Sequence, residues 1–163
     1  DLVSRWSGVD IRSVGTGNPG AANIYREVGH TQGIAVFLLD VGKGVVVTLP
    51  INFGFPIWLG VLGMAGAIGG HVLPAPWRSS VGTGMALAMG TTLGLLPFGA
   101  LTATIPTIFV MKLSKNPAYT GVLFFVTAAV VGWLFHHELV AVIAVVTSAI
   151  SILIKSLVQY KDG

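Results

Sequence analysis

Cysteine is absent from the 163 residues, which removes disulfides, thiolate nucleophiles and cysteine metal sites. Charge is scarce: Asp, Glu, Lys and Arg make up 9% of the chain, against about 25% in an average soluble domain. So few charges cannot cover the surface of an ordinary soluble globule, and that class is excluded. Disorder is excluded for the opposite reason, because 53% of the residues are apolar and such a chain has core to bury. Acidic residues are fewer still, six against nine basic. The resulting net charge of +3 is too thin for a nucleic-acid surface. A basic-then-apolar leader is also lacking. The chain opens with Asp1 rather than Met, and we expect its natural start to lie upstream.

What is present is hydrophobicity, with a mean hydropathy of +0.84. The length suits about six spans of roughly 20 residues with short connections. Polar residues concentrate in positions 1–32, including Arg5, Asp10, Arg12, Arg26 and Glu27. Apolar blocks follow, and their breaks predict helices at 33–50, 56–71, 82–96, 98–112, 119–135 and 138–158. Gly66 with Gly70, and Gly90 with Gly94, have the GxxxG spacing that lets helices approach closely in lipid. No internal repeat or linker interrupts the pattern. The expectation is an all-α, polytopic membrane helix bundle of about six transmembrane helices, a single domain over 1–163.

The basic residues orient it. With six crossings, Arg5, Arg12, Arg26, Arg78, Lys112, Lys115, Lys155 and Lys161 all fall on one side. The breaks near Pro50–Pro56, Pro97 and His136–Glu138 fall on the other and hold no Lys or Arg. The positive-inside bias then places the N-terminal segment and the C-terminus in the cytoplasm. Trp58, Trp77 and Trp133 lie near span ends, as interfacial aromatics do. Lys43 alone sits inside an apolar block, three residues after Asp40 and so on the same helix face. A lone charge at the bilayer centre costs about 2.5–3.5 kcal/mol on insertion scales. The pair is either a structural ion pair or the support of a polar site.

Gly15-Thr16-Gly17-Asn18-Pro19-Gly20 matches GxGxxG, and Asp40 follows twenty residues after Gly20, where a dinucleotide fold keeps its ribose-binding acid. That reading fails on context. Its first strand would be Val9–Val14, interrupted by Asp10, Arg12 and Ser13, whereas a buried parallel strand is an apolar run. A glycine-rich turn still offers backbone N–H groups to an anion. Thr16, Asn18 and Asn23 add neutral donors, and Arg26 adds a fork suited to phosphate oxygens. A second candidate is Gly70-His71-Val72-Leu73-Pro74, followed by Arg78 and Val81-Gly82-Thr83-Gly84. Gly82 to Gly84 is expected to open the third helix, whose first N–H groups attract phosphate. His71 is a general base or a hydrogen-bonding structural residue. In His136-His137-Glu138, adjacent histidines do not share a helix face, so a polar turn is favoured over a metal site.

At these two loops the sequence resembles the bacterial acyl-phosphate:glycerol-3-phosphate acyltransferases of the PlsY type. Their first motif reads like GSGNPGATNVLR, and here Gly15 to Arg26 read GTGNPGAANIYR. A D-x-x-K-G helix follows, matched by Asp40 to Gly44. The second motif resembles GHxFPxFxxFKGGKGVA, to which Gly70, His71, Pro74, Gly82, Gly84 and Ala86 conform. The resemblance implies seven helices with cytoplasmic motifs, six of them in this chain and one before Asp1. There are departures. Thr16 replaces the family serine, Thr83 the basic residue of the second motif and Val81 its first glycine. The 114–118 segment lacks the expected serine pattern, and an RHREN-like third motif is not recognisable in Lys155 to Gly163.

The resemblance implies transfer of an acyl group from acyl phosphate to the 1-hydroxyl of glycerol 3-phosphate, forming lysophosphatidic acid at the bacterial inner membrane. It implies Thr16, Arg26 and His71 in the chemistry. Gly15, Gly17, Asn18, Gly20, Asn23, Arg78, Gly82, Thr83 and Gly84 would bind phosphates. Asp40 and Lys43 would brace the first loop from below. The partners would be the two substrates and the bilayer, with no nucleic acid, metal or organic cofactor. The departures motivate an alternative, an inactive relative that binds a phospholipid or a membrane partner. A small transporter built on Asp40 and Lys43 is weaker, because the polar residues gather at one face.

Overall fold

The computed structural model describes residues 6–73, 82–114 and 116–161. Among the described residues, these α-helices succeed one another: α1 (Ala21–Glu27), α2 (His30–Thr48), α3 (Ile57–Val72), α4 (Met85–Leu95), α5 (Pro97–Ser114), α6 (Pro117–His136) and α7 (Leu139–Lys161). A 3-10 turn, Leu49–Phe53, extends α2. Helices α2 to α7 are the six expected from the apolar blocks. The short α1 was not expected, since it sits in the polar segment. Among the described residues there is no strand, and residues 11–14, required as strand by a dinucleotide fold, are turn and bend.

Local chemistry sets several helix ends. Asn116 caps α6 by accepting the N–H of Ala118 at 2.9 Å, and Pro117 fills the first position, where no N–H is needed. His137 ends α6 with a left-handed φ of 54°. Gly84, at φ 80°, forms the turn into α4, a backbone that a side chain would strain. Helix α4 therefore starts at Met85, and Gly82 to Gly84 lie ahead of the helix rather than in its first turn.

Among the described residues, three helical stretches are long and apolar enough to cross a membrane: His30–Phe53, Pro117–His136 and Leu139–Ser156. Ile57–Val72 and Met85–Leu95 are apolar but shorter. The expectation of about six membrane helices, several of them short, is thus met by six helices of unequal length. Helix α4 is the inner one, with Leu87, Ala88, Gly90, Thr91, Thr92, Gly94 and Leu95 buried. Around it Met64, Leu96, Phe124, Phe125, Ala128 and Val145 form the core. The outer surface is apolar as well: Val46, Phe53, Ile105, Leu134 and Ile154 are exposed. Such a surface fits lipid rather than water.

Small residues set the closest crossings. A β-carbon on Gly90 would collide with the Val41 carbonyl, one on Gly44 with the Leu87 carbonyl, and one on Gly94 with Thr48. Thr48 Oγ1 also donates to the Thr91 carbonyl at 3.2 Å, joining α2 to α4. Helices α5 and α6 meet at Gly99, against Ala128. The expected pair Gly66 and Gly70 does not pack in this way. A β-carbon on either would meet nothing within 4 Å, and α3 instead uses Gly60 and Gly63 against Ile51 and Val47. Five glycines in α3 offer more than one smooth face, and only its neighbours select among them.

The connections alternate between two ends. At one end Asn52 Nδ2 donates to the Gly94 carbonyl at 2.9 Å, and Phe98 stacks on Phe135. Trp58 and Trp133 lie at this end and are exposed. At the other end the N-terminal loop, the last turn of α3 and the turn before α4 come together.

Candidate active site at the glycine turns

The first loop folds around one buried side chain. Asn23, in the first turn of α1, accepts the Thr16 N–H at Oδ1 (3.1 Å) and donates through Nδ2 to the carbonyls of Val14 (3.1 Å) and Ile11 (3.4 Å). It is 4% exposed. Expected among the phosphate contacts, Asn23 instead has its amide engaged in shaping the loop. The backbone is engaged too. Gly17 N–H donates to the Val14 carbonyl at 3.1 Å, and Gly20 N–H to Asn18 Oδ1 at 3.0 Å. The N–H groups of Thr16, Gly17 and Gly20 are therefore engaged within the loop. Left-handed φ values of 57° at Gly15 and 65° at Gly17 make this tight path possible.

Polar side chains remain on the loop's outer side. Thr16 is exposed, and Asn18 is half-buried. Arg26 is exposed and donates from Nε to the carbonyl of Ala22 at 3.2 Å. That bond lies within α1 and holds the guanidinium stem against its own helix. Helix α1 buries Asn23 in its first turn and leaves Arg26, in its last turn, exposed.

The second loop approaches the first. His71 lies in the last turn of α3 and is half-buried. Gly82 and Gly84 are buried and Thr83 is half-buried. A β-carbon on Gly82 would stand 3.0 Å from His71 Nε2 and 3.7 Å from Asn18 Oδ1. Three sequence-predicted residues from distant positions thus meet at one point. Arg78 lies outside the described residues, as do Arg5, Trp77 and Lys115.

The family model described as glycerol-3-phosphate acyltransferase matches residues 1–161. The chain belongs to this family. A glycerol-3-phosphate acyltransferase from Parasynechococcus marenigrum is 38% identical over 128 residues, covering 74% of this chain and 60% of the relative. One from Geobacter sulfurreducens is 43% identical over 105 residues, covering 63% and 53%. One from Pseudomonas aeruginosa is 40% identical over 121 residues, covering 71% and 62%. The chain therefore spans less than two thirds of the length of these relatives. The fold is that of PlsY, an integral membrane glycerol 3-phosphate acyltransferase, whose crystal structure in the glycerol 3-phosphate form superposes with a TM-score of 0.87. That match has 23% identity and covers 98% of this chain and 81% of the other. The lysophosphatidic acid form of PlsY gives 0.82 at 21% identity, with 99% and 79% covered.

In this acyltransferase-family chain, Asp40 and Lys43 bond to each other, Nζ to Oδ1 at 2.9 Å. The Asp40 side chain is 11% exposed and that of Lys43 62%, so only the carboxylate faces the bundle interior. At 1.5 Å per residue the pair lies about 15–20 Å along α2 from its first turn. One residue that the sequence marked only by its charge proves to belong near the second loop. Lys155, on α7, donates from Nζ to the carbonyls of Val72 at 2.7 Å and Gly82 at 3.0 Å. Its signal was a cation on an apolar helix, which spacing could not connect to residues more than seventy positions away.

Proposed function

We propose that the protein transfers an acyl group from acyl phosphate to the 1-hydroxyl of glycerol 3-phosphate, giving lysophosphatidic acid. The observation that carries this reading is the meeting of Asn18, His71 and Gly82 at one end of an apolar bundle. It places two family motifs together where a soluble phosphate and a lipid-soluble acyl chain can both reach. The hydroxyl oxygen bonds to the acyl carbon, and the acyl–phosphate C–O bond breaks. The hydroxyl proton leaves with the departing phosphate. Acyl phosphate is already activated, so no Ser-His-Asp triad is required. Positioning and electrostatic stabilisation supply the rate.

Arg26 and Thr16 contact phosphate or carbonyl oxygen from the first loop, with Asn18 beside them. Thr83 and its flanking glycines hold the phosphate of glycerol 3-phosphate. His71 polarises the site from the end of α3. The acyl chain lies among the helices. The clustered basic residues put this end in the cytoplasm, with the bundle in the bacterial inner membrane.

The test is lysophosphatidic acid formation in membranes given acyl phosphate and glycerol 3-phosphate. Wild type is expected to form product and Arg26→Ala to lose it while still inserting. Absence of product from inserted wild-type protein would overturn the reading and favour a phospholipid-binding role.

A further inference from the structure

A cavity of about 150 Å³ lies between α6 and α7. Every residue that lines it is apolar. On α6 its wall runs from Ala118 to Val126, and on α7 from Leu153 back to Val146. At 1.5 Å per residue this is a groove about 10–12 Å long, entering the bundle from the end that holds the two loops. Gly121, Phe125 and Ile152 are buried in it, whereas Val126 and Ile150 are more than half exposed. The groove therefore opens sideways to lipid. An apolar cavity of this size stays dry and takes a hydrocarbon.

The groove reaches the second loop through Met85, the first residue of α4, which forms part of its lining. Met85 directly follows Gly84, where a β-carbon would stand 3.7 Å from His71 Cδ2. Consecutive α-carbons are about 3.8 Å apart, so the wall of the groove begins one residue from that His71 contact. The Met85 thioether lies against α6 at Gly121: a β-carbon there would stand 2.9 Å from Sδ and 2.8 Å from Cε. Glycine at 121 makes room for this side chain. Methionine is unbranched with three rotatable bonds, so the thioether can swing aside without moving α4.

An acyl phosphate has a head that needs the polar turns and a tail that needs an apolar slot starting beside them. We propose that the groove between α6 and α7 is the subsite for the acyl chain of the donor, with Met85 at its mouth, and that it reads only the part of the chain nearest the phosphate. This rests on the acyltransferase reading for the identity of the occupant. Leaving the bilayer brings the chain no hydrophobic gain, because lipid tails are equally apolar. The gain is contact: an empty groove leaves its lining atoms without partners, and a chain supplies them. A seated chain also holds the acyl carbon beside the turns. An extended chain advances about 1.2 Å per bond, so the groove takes about ten carbons. Carbons beyond these lie in lipid and are not distinguished.

Two measurements on the full chain in lipid vesicles test this. The first locates the chain with a palmitoyl phosphonate that carries a diazirine midway along its acyl chain. After irradiation, label that unmodified palmitoyl phosphonate displaces is expected within residues 118–126 or 146–153. Displaceable label on other helices, or none, overturns the proposal. The second reads chain length through turnover with butanoyl, lauroyl and palmitoyl phosphate. Ala149 lines the groove about 6 Å in from Leu153. In Ala149→Leu, kcat/KM relative to wild type should fall about tenfold for lauroyl and palmitoyl phosphate alike, from crowding of the filled groove. Butanoyl phosphate ends before that point and should change by less than about threefold. Val130→Leu, on the exposed face of α6 outside the groove, should leave all three donors unchanged. An equal effect of Ala149→Leu on all donors, or no effect, overturns the proposal; if that variant fails to accumulate, the label decides. Wild-type turnover tests the acyltransferase reading separately. Displaceable label in the groove without turnover keeps the chain subsite and overturns the enzyme, and turnover with label elsewhere does the reverse.

Discussion

Asn23 Oδ1 accepts the backbone N–H of Thr16 at 3.1 Å, so that a residue on α1 holds the centre of the glycine loop. The two Nδ2 hydrogens hold the loop's entry through Ile11 and Val14. This makes the loop a single hydrogen-bonded unit hung from one buried amide.

Asn23→Asp should therefore act through the loop's shape. The new carboxylate oxygen would face the carbonyls of Ile11 and Val14 without a proton to offer. Two bonds are lost and acceptors are opposed, which costs about 1–3 kcal/mol. We expect a lower melting temperature in detergent together with lost activity. Arg26→Ala should lose activity with melting unchanged, since its described hydrogen bond stays within an exposed turn. Equal melting of the two variants would show that Asn23 does not organise the loop.

Gly82→Ala tests the meeting of the loops. Its β-carbon would stand 3.0 Å from His71 Nε2, closer than ordinary contact. The imidazole must move by a few tenths of an ångström. Turnover is expected to fall about tenfold, the scale of a lost active-site hydrogen bond, with little change in stability. Gly69→Ala meets open space and should leave turnover at the wild-type level.

The helix crossings give a stability contrast. Gly90→Ala forces a methyl onto the Val41 carbonyl, and overpacking of this kind costs about 1–3 kcal/mol. Gly66→Ala meets nothing, and replacing a helical glycine gains up to about 1 kcal/mol in propensity. Thermal unfolding should therefore move in opposite directions for the two. A common direction would mean that the α2–α4 crossing is looser than described.

For the ion pair, the asymmetry in burial sets the order. Lys43→Met leaves the Asp40 carboxylate without its cation in the bundle, whereas Asp40→Asn leaves an ammonium that is largely exposed. Lys43→Met should lower the melting temperature more, and the double variant should recover part of that loss. If the double variant were no better than Lys43→Met, the two residues would not be energetically coupled.

The six principal helices were legible in the sequence because burial in lipid demands long apolar blocks, and the breaks between blocks carry Gly, Pro and charge. Helix α1 was not legible, because seven residues in a polar segment show no apolar period. The two motif loops were legible as well, since glycine, asparagine and arginine in fixed spacing leave a local signature. The tasks within them were not. Asn23 and Asn18 look alike as neutral donors, and only the fold shows one turned into the loop and the other toward Gly82.

Composition and spacing alone thus determined the membrane class, the helix order, the clustering of basic residues and the family motifs. These follow from local chemistry, where each residue's solvent preference or turn geometry acts on its neighbours in the chain. Tertiary structure decided which glycines meet a helix, that Asp40 is enclosed while Lys43 is not, and that Lys155 reaches Gly82. Those depend on which faces are brought together across dozens of residues. Period and motif name a face, but only packing supplies the partner opposite it.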